Sequence, residues 1–211
     1  KDLLAYRAQA SQTLPPRAAR VARMAEADPR VCERPIQMAD LDAEMRRIVD
    51  IFNDAWSDNW GFVPMPEAEV RYMTANLKPL IRPELVRVAE YDGEPVAMIV
   101  ALPDPYEILR ELRGRLLPFG WARLLFRLKL HPPEHGRVML MGVRRRYQRG
   151  NLAAALSALM MRRLHAAART RGMADFEMSW ILEDNQPMIR LVVLIGGQAD
   201  KRYRLYRKAI A

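Results

Sequence analysis

The chain is predicted to form a single α/β domain, a sandwich built on a mixed sheet, and three observations predict this class. Strand-like and helix-like segments alternate along most of its 211 residues, which is typical of helices packed on a sheet. Asp92-Gly93 separates two strand-like segments and is a strong signal for a tight hairpin. Half of the residues are hydrophobic, which is enough to bury one core, and nothing indicates a second.

The first half of the predicted order is a strand, two helices and a hairpin of two strands. In the first helix, apolar residues form one stripe at helical spacing, which predicts an amphipathic helix with Trp56 in the core. The stripe consists of Leu41, Met45, Ile48, Val49, Phe52 and Trp56. The predicted bounds are strand 31–36, helix 40–56, helix 66–80, strand 85–91 and strand 96–102.

A long amphipathic helix dominates the second half and ends near Gly172, a good C-terminal stop. Its apolar stripe consists of Leu152, Leu156, Leu159, Met160 and Leu164. The predicted bounds are strand 137–143, helix 151–171, strand 174–182, helix 186–195 and strand 200–208. Between the two halves lies an insertion, residues 104–134.

The first thirty residues are basic, rich in alanine and interrupted by prolines. We expect residues 1–30 to be an N-terminal extension or the remnant of a longer chain, with the domain spanning residues 31–211. Since no signal peptide is visible, a cytoplasmic location is expected. The single cysteine, Cys32, excludes an internal disulfide framework, and no apolar run approaches the ~20 residues of a membrane span.

A net charge of +9 calls for an anionic partner, and the insertion concentrates this charge. Residues 112–130 contain no acidic residue but combine basic and apolar side chains. The basic ones are Arg113, Arg115, Arg123, Arg127 and Lys129. Such a segment can lie in a membrane interface, here at the inner face of the membrane, or can pack on the domain with its arginines solvated. Nucleic acid is not expected, because the basic residues lack an aromatic strand platform.

A basic loop joins the strand at 137–143 to the long helix. First-turn amides of a helix have no intrahelical partner, so this loop can hold an anion such as a pyrophosphate. The candidate contacts are Gln148, Arg149, Gly150, Asn151, Leu152 and Ala153. A basic solvated turn is the alternative.

The same loop resembles the acyl-CoA-binding segment of the GNAT superfamily of acyltransferases, V-x-P-x-Y-[QR]-x-x-G-x-[GA]. The matching residues are Val143, Tyr147, Gln148 and Ala153. Asn151 stands where the family has its first glycine, and Gly150 lies one residue earlier, so the asparagine side chain could crowd a pyrophosphate. The resemblance implies a three-layer sandwich with a mostly antiparallel central sheet.

Further segments resemble a GNAT-like subfamily of bacterial N-acyltransferases that includes ceramide synthases. They are SWILEDNQPM at 179–188, YRLY at 203–206, FNDAW at 52–56, NWGFVP at 59–64 and LKP at 77–79. The resemblance implies transfer of an acetyl or longer acyl group from CoA, or from an acyl carrier protein, to an amine, including a lipid-like one. It also implies that the backbone of Met141 and Val143 binds the pantetheine arm and that Asn185 lies near it.

The catalytic groups are the open part of the sequence-based prediction. Glu177 is a candidate base because strand alternation places it on the other face of its strand from Phe176 and Met178. An ion pair with an arginine explains a carboxylate at this position equally well. Tyr203 and Tyr206 are candidate acids, since Val192 occupies the position where many GNAT proteins have a tyrosine. A GNAT-fold domain that binds without catalysis therefore stays open as an alternative. The histidines lack metal-ligand spacing, so no metal is expected.

Overall fold

The computed structural model describes residues 1–113, 115–130 and 133–208, and these form a seven-stranded sheet with helices on both faces. The strands are β1 (Asp2–Gln9), β2 (Val31–Pro35), β3 (Val86–Tyr91), β4 (Glu94–Pro103), β5 (His135–Val143), β6 (Asp175–Leu182) and β7 (Gln198–Arg204). The helices are α1 (Pro16–Ala27), α2 (Leu41–Ala55), α3 (Glu67–Leu77), α4 (Tyr106–Glu111), α5 (Gly120–Leu130), α6 (Arg145–Gln148), α7 (Asn151–Thr170) and α8 (Gln186–Leu194).

The sheet order is β2-β3-β4-β5-β6-β1-β7. β5 and β6 pair in parallel, and the remaining neighbouring strands pair antiparallel. The predicted mixed, mostly antiparallel sheet is thereby confirmed. The hairpin at Asp92-Gly93 is also present, with φ values of 52° and 78°, the positive values that a tight two-residue turn requires.

The N-terminal segment corrects the predicted domain limits. Residues 1–30 are predicted to precede the domain, yet β1 lies inside the sheet, paired with β6 on one side and β7 on the other. α1 packs on α7 through buried alanines such as Ala22 and Ala158. Residues 2–27 are therefore part of the fold, because their strand fills the gap between two strands from the other end of the chain.

Each face of the sheet carries its own core. On one face, α7 contributes Leu156, Met160 and Leu164 to a cluster that includes Phe176 of β6. On the other face, α2 and α3 cover β3 and β4 through residues such as Ile48. On this second face, β6, β1 and β7 carry charged side chains in place of an apolar core.

The predicted insertion, residues 104–134, contains α4 and α5 within its described part, while residues 114, 131 and 132 lie outside the described residues. α5 buries Leu128 against the domain, and Arg82 of the α3–β3 connection donates to the Leu128 carbonyl at 2.9 Å. Several large apolar side chains of this region are exposed instead: Leu116, Leu117, Phe119, Trp121, Leu125, Phe126 and Leu130. Within the described residues, no helix is long and apolar enough to cross a bilayer.

Candidate active site

The parallel pair β5–β6 opens into a cleft along the second half of both strands. Paired residues run from His135–Asp175 to Val138–Met178, and beyond this point the two strands diverge. On its other side β5 has an irregularity at Met139, since Val100 pairs with Leu140 but Ala101 pairs with Val138. An extra residue in one strand bends it locally, which accounts for the divergence.

A cavity of about 80 Å³ lies in this cleft. Its lining is mostly apolar and consists of Trp56, Asn59, Val138, Met139, Met141, Met178, Ser179, Trp180, Ile181, Leu182, Asn185, Met188 and Val192. No titratable side chain is found among these lining residues of the described chain. The methionines and aromatic rings can adapt to an apolar group of variable length.

α2 and the loop after it form one wall of the cleft. Gly142 allows this approach, because an added Cβ would lie 3.0 Å from the Ala55 side chain and 3.5 Å from Trp56 Nε1. Trp56, predicted as a core residue, is partly buried against the core of the α2 face, and its indole N–H donates to the Met141 carbonyl at 3.2 Å. That carbonyl was predicted to face pantetheine, and here the protein itself supplies its partner.

The loop between α2 and α3 is closed by one side chain. Asn53 donates to the Met65 carbonyl at 3.2 Å and accepts from the Met65 amide at 3.0 Å. This amide pair holds the ends of the loop together, and Asn59, carried on the loop, reaches the cavity. The FNDAW and NWGFVP segments therefore build the cleft wall.

The basic loop at the end of β5 lies where the sequence predicts it, at the N-terminus of α7. Gly150 immediately precedes the helix with a φ of 120°, a conformation that glycine adopts at little cost. No side chain caps the helix, so its first-turn amides remain available. Asn151 is the first helical residue and is exposed, while Leu152 and Ala153 pack partly against the core.

Of the four arginines in this loop, three pair with carboxylates from neighbouring segments. Arg144 contacts Asp50, Arg145 contacts Asp58 at 2.5 Å, and Arg146 contacts Glu94. Arg149 makes no salt bridge to any described residue and is exposed at the helix N-terminus. It is therefore the guanidinium of this loop that is free to meet an anion.

Gln148 and Asn185 support the loops that carry them. Gln148 donates to the Val143 carbonyl at 2.8 Å and to the Ala55 carbonyl at 3.2 Å, so its amide joins the loop to β5 and α2. Asn185 caps α8 by accepting from the Met188 amide and also lines the cavity. Asn185 therefore lies at the cavity and Gln148 lies in the loop beyond the end of β5, and both side chains already make internal hydrogen bonds.

Glu177 is surrounded by cations. Its Oε1 lies 2.5 Å from an Arg137 nitrogen and accepts from the Ser179 hydroxyl at 2.7 Å, and its Oε2 lies 2.9 Å from Lys201 Nζ. Burial alone would raise the pKa of Glu177, but the hydrogen bonds from Ser179, Lys201 and Arg137 outweigh it and lower the pKa to about 2. A carboxylate stabilised as the anion in this way is a weak proton acceptor. The geometry thus favours the ion-pair alternative.

The two candidate tyrosines are separated from the cavity. Tyr203 lies on β7 with its ring edge-on to Trp180, 5.9 Å between centroids, so it touches a residue of the cavity lining. Tyr206 lies beyond the end of β7 and is almost fully exposed, since the strand predicted to reach residue 208 ends at Arg204. Val192 lines the cavity and is buried.

Sequence reasoning missed Asn59 and Ser179 as lining residues. Both residues lie inside the NWGFVP and SWILEDNQPM segments. In each segment a polar residue stands directly before a tryptophan, and this pattern was the available signal. In the part of the chain that the structure describes, no group of three or more His, Cys, Asp or Glu side chains is arranged to hold a metal ion.

The fold and the cleft define a member of the acetyltransferase (GNAT) family, a family of acyltransferases, and residues 45–193 match its family model. The chain belongs to this family. It is 40% identical over its full length to the bacterial ceramide synthase of Caulobacter vibrioides, and covers 54% of that protein. It is also 43% identical over 167 residues to protein YghO of Escherichia coli, a match that covers 79% of the chain and 43% of that protein. The chain thus spans about half the length of these curated relatives.

Solved structures support the fold. A GCN5-related N-acetyltransferase from Sphaerobacter thermophilus superposes with a TM-score of 0.61 at 17% identity, over 96% of this chain and 49% of that one. The N-acetyltransferase region of a fungal multi-domain β-N-acetylglucosaminidase gives a TM-score of 0.56 at 10% identity, over 96% of this chain and 20% of that one. At these identities the similarity concerns the fold.

Proposed function

We propose that the chain is the transfer domain of an acyl-CoA-dependent N-acyltransferase, with acetyl-CoA or a longer acyl-CoA as co-substrate and no metal. The observation that carries the proposal is the splayed β5–β6 pair. It opens an apolar cavity on β5, and this strand leads through the basic loop into the uncapped N-terminus of α7. In the reaction, a bond forms between the amine nitrogen and the acyl carbon while the thioester C–S bond breaks. One amine proton is lost, and the sulfur leaves as the CoA thiol.

The residues present fit the donor. Pyrophosphate would bind the backbone amides of Asn151, Leu152 and Ala153 and the Arg149 side chain. Gly150, whose φ of 120° suits a glycine, forms the turn directly before these amides. The pantetheine arm would lie along β5 between Val143 and Met141, where β5 and β6 have separated, and pass Asn185. It would not use the Met141 and Val143 carbonyls, because these already accept hydrogen bonds from Trp56 and Gln148. In this arrangement Gln148 holds the loop in place instead of contacting the ligand.

The acceptor that fits best is a lipid-like amine. Three findings support this: the Caulobacter relative is named a ceramide synthase, the cavity lining is apolar, and the surface around α5 exposes leucines and aromatic rings. A protein that meets a membrane-held amine needs such a surface, with basic residues that attract anionic lipids. We therefore propose peripheral contact with the inner membrane face through residues 112–130.

A charge reversal at Arg149 tests the placement of the donor. Arg149→Glu is expected to weaken CoA binding about tenfold or more in calorimetry, because an attractive charge becomes a repulsive one next to the phosphates. Arg23→Glu is the matched control: it reverses an exposed arginine of α1 and is expected to leave CoA affinity unchanged. Equal affinities of the Arg149 variant and the wild type would contradict the placement.

A binding domain without catalysis is the second candidate, favoured by one observation. The lining residues include no titratable side chain, and Val192 occupies the place of the family's tyrosine. Mass spectrometry of the wild-type chain incubated with palmitoyl-CoA and sphinganine separates the two candidates. The enzyme forms an amide product at a rate above that of the mixture without protein, whereas the binding domain does not.

A further inference from the structure

Two pockets meet along the seam between β5 and β6. At the paired end, a polar depression of about 650 Å³ is lined by β5, β6, β1, β7 and α4, and it includes Glu177. At the splayed end lies the apolar cavity, which includes Ser179. Because the Ser179 hydroxyl bonds to Glu177 across 2.7 Å, this hydroxyl stands at the boundary between the polar and the apolar pocket.

The direction of the Ser179–Glu177 hydrogen bond is fixed by charge. Glu177 is anionic, contacts Arg137 and Lys201, and has a further arginine nitrogen, from Arg7, 3.9 Å from Oε2. An ionised carboxylate only accepts hydrogen bonds, so the single proton of the serine hydroxyl points at Glu177. The oxygen of Ser179 therefore has only lone pairs left for a ligand.

We propose that Ser179 accepts a hydrogen bond from the amino group of the acyl acceptor, with Glu177 as the positioning residue that orients the hydroxyl. This inference rests on the proposed function and deepens it by naming a contact for the acceptor. An oxygen that can only accept recognises an N–H group and cannot donate to the thioester carbonyl.

The other polar groups of the cavity lining have different roles. The Trp56 indole N–H is bound to the Met141 carbonyl, and the Asn185 carbonyl oxygen is bound to the Met188 amide. The side chain of Asn59 makes no hydrogen bond to a described residue and carries both donor and acceptor atoms, whereas the Trp180 indole N–H can only donate. Ser179 is thus the lining side chain that donates its proton in a hydrogen bond to a charged partner and can then only accept a hydrogen bond from a ligand.

The experiment compares two probes that differ in their N–H groups. Octylamine is protonated at neutral pH and carries three N–H donors, while octyltrimethylammonium has the same charge and chain but none. Calorimetry below the micelle concentration is expected to show wild-type protein binding octylamine about tenfold more tightly, the size typical of one hydrogen bond to a charged group. Ser179→Ala is expected to bind both probes equally, and Ser179→Thr to keep the preference.

Controls separate this inference from the proposed function. Ser11→Ala, at an exposed turn, is expected to keep the preference, and circular dichroism verifies that each variant is folded. Glu177→Gln is expected to reduce the preference, because a neutral amide directs the hydroxyl proton less strongly, and an unchanged preference there would remove the positioning role of Glu177. Equal binding of the probes by wild type, or a preference retained in Ser179→Ala, overturns the proposal. CoA binding measured on the same samples reports independently on the proposed function.

Discussion

At the residue scale, the partners of a side chain decide its chemistry, and these partners come from distant segments. Glu177 receives Lys201 from β7, Arg137 from β5 and Arg7 from β1. Strand alternation is enough to predict its face of the sheet, because the side-chain period is two. The sequence leaves its ionisation open, since that depends on which cations the neighbouring strands bring alongside.

His165 shows the opposite situation, a titratable group whose pKa is shifted by burial and a neighbouring cation and by no carboxylate. It is buried in α7, and neither ring nitrogen makes a hydrogen bond to a described residue. Burial lowers the pKa of His165, and the nearby Arg169 lowers it further, while the polar contact with the Gln12 backbone raises it. The apolar stripe predicted for α7 does not include His165, and its burial follows from the packing of α7 against the rest of the domain.

We expect His165 to make stability depend on pH. Because its folded-state pKa is lowered, the unfolded chain binds the proton more readily, so stability is complete above the unfolded pKa of about 6.5 and falls as the pH drops below it. His165→Leu should remove about 1 kcal/mol of the loss in unfolding free energy between pH 7.5 and pH 5.5. Urea unfolding at both pH values measures this, and an identical pH dependence in wild type and variant would refute it.

At the scale of elements, the apolar runs predict where strands and helices lie but not how they bend or which face is covered. The run at 137–143 predicts β5, whereas its irregularity at Met139 depends on pairing with β4. The pattern at 112–130 predicts an amphipathic segment. In α5 both sides are apolar: Leu128 packs on the domain, and Leu125 and Phe126 face outward.

The outward face of α5 is expected to mediate membrane association. Wild-type protein should float with vesicles that contain phosphatidylglycerol, less so at high salt, because basic residues each contribute about 1 kcal/mol near an anionic surface. Replacing Leu125 and Phe126 together by Asn should abolish flotation. Met24→Asn, a matched change at an exposed apolar residue of α1 on the other side of the sheet, should have no effect.

Two outcomes would contradict this. Wild type that stays soluble with anionic vesicles at low salt would make α5 a packed subdomain, as in the alternative interpretation. A sedimentation shift from dimer to monomer in the Asn variant would assign the apolar face to a second copy of the chain. Arg123 and Arg127 lie 3.9 Å and 3.0 Å from the Glu111 carboxylate, so this carboxylate competes with anionic lipids for these two arginines.

At the scale of the whole molecule, the first strand of the chain joins β6 to β7 in the sheet. The order of strands and helices within residues 137–204 agrees with the sequence-based prediction. β1, in contrast, pairs with strands more than 160 residues away in the sequence, and no local pattern reveals such a pairing. Asp2 binds Arg204 through two hydrogen bonds, and Arg7 binds Asp175 at 2.8 Å. These contacts connect the beginning of the described chain to β6 and β7, so the domain limit predicted at residue 31 is too late.

Removal of residues 1–10 is therefore expected to destabilise the entire domain. β7 would lose its one neighbour in the described sheet, β6 would expose an edge, and Asp175 would lose Arg7, which together should cost several kcal/mol of unfolding free energy. A truncation of residues 206–211 is the matched control, since it follows β7 and should change the urea midpoint little. Adding a synthetic peptide of residues 1–10 to the shortened protein should restore part of the midpoint, because the vacated position between β6 and β7 pairs with its backbone. If the shortened protein unfolds at the wild-type midpoint without the peptide, β1 is dispensable for the stability of the domain.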